Sequence, residues 1–276
     1  MTDRFLIQTM QTWRFIQTLP ILAFAALPTA GLAAAGDLET HKASYEVKLE
    51  SLQTEGIPMD ASGAMATQLT RDCQKWEYSQ EMQFSLAVEG GQPIELHFRI
   101  DMLEGLDGRR MEFSGWQKRG AQEVAKLKGR ATMNNDGYGG TAVFVRPDEA
   151  EWDLPSPTTL PVSAIRQLVG ALTNGRADPQ SIAFEVTGVS EVTRVVAGGS
   201  VSLNSIETKD AALIKGRSWL VDRAIYFEEI ARNEPFMFET IQIHESGVVS
   251  KFWQDYKTMV LSGELVSLEK LPEPDC

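Results

Sequence analysis

Cysteine and histidine are nearly missing from this sequence: its 276 residues include two cysteines and three histidines. His41, His97 and His244 lie far apart, and none falls in an HExxH or HxH spacing. Cys73 and Cys276 add too few ligands for a typical zinc centre, so no metal and no cofactor are expected. Basic residues are scarce as well. Lys and Arg number 26 against 38 Asp and Glu, for a formal net charge of −12. Phosphate contacts need clustered Lys and Arg, which speaks against nucleic acid as a partner. The same balance speaks against electrostatic docking on anionic lipid. Beyond the N-terminus no segment approaches the ~20 apolar residues of a membrane span.

Catalytic signatures are also lacking. There is no P-loop, and "GGSVSL" (198–203) has no following helix to cradle a phosphate. "TGVSEV" fails as a nucleophile elbow because Val192 stands where the second glycine is needed. Glu228 and Glu229 are neighbours, so on a strand they face opposite ways. Asp148, Glu149 and Glu151 read as solvated. With no catalytic residue to nominate, the expectation is a protein that is not an enzyme. A hydrolase hidden from motif reading would need polar groups converging on His97 or His244.

What is present begins at the N-terminus. Arg4 and Arg14 lead into "LPILAFAALPTAGLAAAG", an apolar run from Leu19 to Gly36 broken by Pro20, Pro28 and Gly31. A charged lead, a short apolar centre and the Ala33-Ala34-Ala35 end describe a cleavable secretory signal over residues 1–35. A retained anchor is the alternative, and the prolines and alanine-rich end suit it less. A bacterial lipoprotein would need a cysteine just past the cleavage site, and none is there. The expected product is exported and soluble, with one domain over 36–276. Export makes a Cys73–Cys276 disulfide the expected state of the two thiols. Cys276 is the last residue, so it cannot serve a prenylation box.

The rest reads mostly as strand. "YEVKLE", "MQFSLAV" and "IELHFRID" alternate apolar and polar residues with period two, the pattern of antiparallel sheet with one buried face. Glu89-Gly90-Gly91, Asp107-Gly108, Asn135-Asp136-Gly137, Ala197-Gly198-Gly199 and Ser246-Gly247 punctuate the runs. Further strands are predicted at 109–117, 122–133, 137–145, 181–187, 192–206, 218–228, 236–244, 248–260 and 264–271. "LPSPTTLPVSAIRQLVGALTNG" breaks the pattern. Ile165, Leu168, Val169 and Leu172 share a helical face, Ser163 is the expected N-cap, and Asn174-Gly175 supplies the stop. A helix near 163–174 is too short to stand alone in water and must pack against the sheet. Phe252-Trp253 and Tyr226-Phe227 put aromatic residues on both faces of their strands. Two readings stay open: plain core, or an apolar concavity for an acyl chain or peptide.

Three stretches taken in order resemble a known family: "RDCQKWEYSQEMQF", the proline-led helix above, and "FETIQIHESGVVSKFWQDYKTMVLSGELVSLEKLPEPDC". Behind a signal peptide they are similar to the EipB cell-envelope integrity family of alphaproteobacteria, from about Thr40 to Cys276. That resemblance implies a periplasmic location and a long β-sheet spiralling around a helix, a half-open barrel like the lipoprotein carriers LolA and LolB. It implies a disulfide between an early strand and the C-terminus, at positions matching Cys73 and Cys276. It also implies a role in maintaining the envelope under stress. Two turns depart from the family pattern: "TGVS" stands after "FEV", and "DYKTM" lacks a glycine after Asp-Tyr. The expected fold is thus mainly β, one curved antiparallel sheet around a short central helix. The expected ligand is a lipid, lipoprotein segment or peptide on the concave face. The alternative is a scaffold for another periplasmic envelope protein with no ligand pocket.

Overall fold

A computed structural model describes residues 37–52, 59–88, 90–176, 181–201, 207–208, 210–227 and 234–276. The proposed signal segment, residues 1–35, and the Glu228-Glu229 pair lie outside the described residues. Eight strands come first: β1 (His41–Leu52), β2 (Met59–Arg71), β3 (Lys75–Val88), β4 (Ile94–Gly105), β5 (Arg110–Arg119), β6 (Gln122–Met133), β7 (Gly140–Arg146) and β8 (Ala150–Leu154). Helix α1 (Pro161–Thr173) follows. Seven more strands complete the chain: β9 (Ile182–Phe184), β10 (Gly188–Ala197), β11 (Glu207–Thr208), β12 (Ser218–Phe227), β13 (Met237–His244), β14 (Val249–Asp255) and β15 (Met259–Lys270).

These strands make one sheet. Its antiparallel path runs β8-β7-β6-β5-β4-β3-β2-β1-β15-β14-β13-β12-β10-β9, and short β11 pairs in parallel with β15 off that path. Two meanders meet where β1 pairs with β15, His41 opposite Lys270. The ends of the path then approach each other, and the sheet nearly closes into a barrel. The link is the chain leaving β8. Thr158 O accepts from Gly139 N before β7 (2.7 Å), while Thr159 exchanges backbone bonds with Ile182 and Phe184 of β9, each 2.9 Å. Side chains span the same seam: Phe113 of β5 packs edge-to-face on Phe144 of β7 (5.3 Å) and Phe184 of β9 (5.8 Å). Closure of this kind removes exposed strand edges that would otherwise template aggregation.

Helix α1 lies against the inner face. Val162, Leu168, Val169 and Leu172 are buried in one cluster with Tyr45, Val47 and other strand residues. The helix starts at Pro161, three residues earlier than the expected start after Ser163. Proline suits a first helical position because it has no N–H to satisfy. Leu160 precedes it and provides no side-chain cap. The stop is as expected: Asn174 Nδ2 donates to Gly170 O (2.8 Å), and Gly175 takes the left-handed conformation with φ +78°.

The strand predictions hold for most of the sheet and fail where composition hides them. β2 and β8 were not expected. In β2 the inward positions carry small residues such as Ala61 and Gly63. A Cβ on Gly63 would overlap Phe84 Cβ and Gln83 O on the facing strand, so its smallness makes room for Phe84. The run 248–260 is two strands, not one. Its turn lacks the usual glycine signal, because Lys257 itself adopts φ +68° and its N–H is held by Asp255 Oδ1 at 2.7 Å. The run 192–206 begins earlier, at Gly188, and the described strand ends at Ala197.

Cys73, in the turn between β2 and β3, is bonded to Cys276, with the Cα atoms 5.7 Å apart. The tail is also held by backbone: Leu271 N donates to Thr40 O (2.9 Å), and Thr40 Oγ1 to Leu271 O (2.7 Å). An Arg71–Glu273 ion pair adds to this.

Candidate functional site

Between α1 and the inner sheet face lies a cavity of about 410 Å³, within the ~300–1,000 Å³ typical of small-molecule sites. Its apolar wall includes Ile165 and Leu168 of the helix, Met65 of β2 and Ile241 of β13. Period two explains why these strand residues face inward together. The same periodicity delivers polar side chains where the sheet would otherwise be oily. Arg223 follows Val221 on the inward register of β12, and Glu239 lies between inward Met237 and Ile241 of β13.

Those polar side chains form one network. Arg223 Nε donates to Glu239 Oε2 at 3.0 Å, Nη2 bonds the same oxygen, and Nη1 reaches Glu185 Oε1 at 3.0 Å. Ser190 Oγ donates to Glu185 Oε1 (2.5 Å), and Gln254 Nε2 to Glu239 Oε1 (2.9 Å). Tyr256 Oη donates to Gln254 Oε1 (3.1 Å). The Arg223 and Glu239 side chains are only 15% and 8% exposed, so the guanidinium has little water to replace these partners. Burial works against its charge, and Glu239 and Glu185 more than offset that, holding it above the ordinary arginine value. Burial and the nearby Glu239 push the Tyr256 phenol up to about 12. Tyr78, also on the cavity wall, is raised by burial and then by Tyr45, Glu185 and Glu239.

Glu185 reaches the network from a strained turn. Thr187 N donates to Glu185 O at 2.7 Å around Val186, which holds φ +66° while 1% exposed. A β-branched residue rarely adopts that conformation. This turn is the "TGVS" departure noted in the sequence, and it borders the cavity. The other departure, "DYKTM", is the β14–β15 turn, and it too reaches the cavity through Tyr256.

A second buried acid anchors the helix at the cavity's edge. Glu104, on the inward register of β4, is 1% exposed. It accepts from Val162 N (2.8 Å), Ser163 N (2.8 Å) and Ser163 Oγ (2.6 Å). The cap that α1 lacks in its own sequence therefore arrives from β4, 58 residues away in the chain. Burial outweighs the three donors and pushes the carboxyl up to about 7.

The residues singled out in the sequence go elsewhere. His97 sits on the outer face, bonded to Glu81 (2.7 Å) and edge-on to Trp116 at 4.6 Å. His244 is buried against Ser250 Oγ (2.9 Å), and burial lowers its pKa to about 4. Neither lines the cavity. The histidine that does is His41, which begins β1 and bonds Glu39 O through Nδ1 (2.7 Å). Asp148, Glu149 and Glu151 are exposed. Phe252 is buried and Trp253 lies on the outer side of β14. Among the described residues no group of His, Cys, Asp and Glu could hold a metal ion, and no helix is long and apolar enough to cross a membrane.

The EipB-like family model matches residues 32–272. This chain belongs to the EipB-like family. A search of curated proteins found no relative. Among solved structures, this EipB-like chain is similar to a β-barrel-like protein of a domain of unknown function from Brucella abortus. The TM-score is 0.74 and the identity 20%, over 86% of this chain and 100% of that one. That likeness concerns the fold, the near-closed barrel with its short helix.

Proposed function

We propose that this protein is exported to the periplasm and helps maintain the cell envelope by holding an amphipathic ligand inside its barrel. The ligand is a lipid, the acyl segment of a lipoprotein or an apolar peptide. The observation that carries the reading is the 410 Å³ cavity between α1 and the sheet, apolar along most of its wall and polar at Arg223, Glu239 and Glu185. Membership of the EipB-like family and the barrel-like fold accord with an envelope role. Protein purified from the periplasm under native conditions should carry an extractable lipid or peptide, seen by native mass spectrometry and solvent extraction. Protein that is ligand-free on purification, and takes up no amphiphile when offered one, would overturn it.

A scaffold role is the second reading. It is favoured by basic residues along the outer register of β6 and β7, Lys126, Lys128, Arg130 and Arg146, all exposed on an otherwise acidic chain. An acidic face of another envelope protein would suit that stripe. In-cell crosslinking from position 128 that captures one specific protein supports it; capture of none counts against it.

A further inference from the structure

We infer that the cavity selects an amphiphile whose head group is an organic cation, an ammonium, over one with an anionic head. This rests on the cavity reading above and adds the chemistry of the ligand's polar end. The argument is a charge count combined with geometry. The ionisable side chains on the cavity wall, tyrosines aside, are Arg223, Glu185, Glu239 and His41. One guanidinium thus faces two carboxylates, and burial lowers the His41 pKa, favouring its neutral form. The formal balance of the lining is one negative charge.

The guanidinium is also largely engaged. Its Nε, Nη1 and Nη2 atoms each donate to Glu239 or Glu185, three of its five N–H donors. A phosphate or sulfate head reaching the other two would come up against two buried carboxylates whose combined charge exceeds that of the guanidinium. An ammonium meets no such repulsion. It is attracted by the surplus carboxylate, and a buried site weakens screening. Tyr78 and Tyr256 also line the cavity, and the phenol of each lies within the field of Glu239. Aromatic side chains near a carboxylate suit an ammonium group. An apolar tail then follows Met65, Leu168 and Ile241.

The test uses the signal-free exported chain and ten-carbon probes below their micellar concentrations: decyltrimethylammonium, decyl sulfate and uncharged decyl maltoside. Calorimetry should show the ammonium probe binding at least about tenfold tighter than the sulfate. Glu185→Gln should shrink that ratio to about threefold or less. Glu185 is chosen because Glu239 keeps its bonds to Arg223 in this variant, and a retained melting transition verifies folding. Equal or tighter binding of the sulfate overturns the inference. So does an unchanged ratio in the folded variant. If maltoside binds without any preference for the cation, the inference falls and the ligand-holding role stands. If no probe binds, the ligand-holding role itself falls. Decylphosphocholine separates two sources of the ammonium: binding like decyltrimethylammonium points to a lipid head group, and binding like the sulfate to a free amine.

Discussion

The barrel contains two apolar clusters that are packed differently. At the seam, Phe113, Phe144 and Phe184 meet edge-to-face, joined by Leu154 and Leu160, all buried. Under the helix, Met65, Leu168, Ile241 and their neighbours surround open space and meet the Arg223 network. The seam draws its residues from both ends of the strand order, so its filled core is what turns a long sheet into a barrel. The helix-side cluster has its closure provided by the seam, and this leaves room for a cavity. Filled packing and open packing thus have separate tasks in one molecule.

The largest expected effect tests whether closure depends on covalent chemistry. Cys276→Ser opens a loop whose ends are 203 residues apart in sequence. It should lower stability to denaturant by up to about 5 kcal/mol, most of it through the unfolded chain. Natively purified protein should show no titratable thiol until reduced. Two free thiols in native protein would remove the disulfide from this account.

Next is the seam itself. Phe184→Ala removes a side chain that is 0% exposed and should cost about 3–5 kcal/mol in urea unfolding. A loss under 1 kcal/mol would show that the seam is not a filled core.

The helix cap gives a pH signature of roughly 3 kcal/mol. The Glu104 carboxyl moves from 4.5 to about 7 on folding, so the folded state holds its proton more tightly. Its favourable contribution is present below pH 4.5 and lost as the pH rises through 7. The shift corresponds to about 3 kcal/mol. His244 works in the opposite sense. Its folded pKa is depressed to about 4, so its contribution is present above 6.5 and lost as the pH falls through 4. Subtracting the Glu104→Gln stability curve from that of the parent isolates the contribution of Glu104. A flat difference between pH 4.5 and 7 would refute it.

The smallest effect sharpens the contrast directly. Ile165→Ala shortens a half-buried side chain on the cavity wall. With open space already beside it, the cost should be about 1–2 kcal/mol, well below that of Phe184→Ala. Equal losses at both sites would mean that the cavity wall is packed as tightly as the seam.

Much of the sheet was legible because alternation is a local signal: β3, β4 and β6 announce themselves in their own residues. The small residues of β2 and the glycine-free turn at Lys257 carry no such signal. The candidate site was hardly visible. Arg223, Glu239 and Glu104 are each a charge standing on the apolar register of a strand, Glu104 continuing the run of Leu96, Phe98 and Ile100. That irregularity could have been noticed, as could a proline-led helix without a capping side chain. What no local pattern contains is that Glu104 and the uncapped helix answer each other, or that Arg223 of β12 meets Glu185 in the turn between β9 and β10.

The sequence by itself determined the strand-dominated class, the α-helix with its stop at Asn174-Gly175, and the inward and outward registers, because each depends on residues a few positions apart. Tertiary structure alone decided that β1 pairs with β15, that Thr159 and Phe184 join the ends of the sheet, and that a cavity remains beneath α1. These depend on contacts between distant segments whose packing is settled only when the whole sheet has curled.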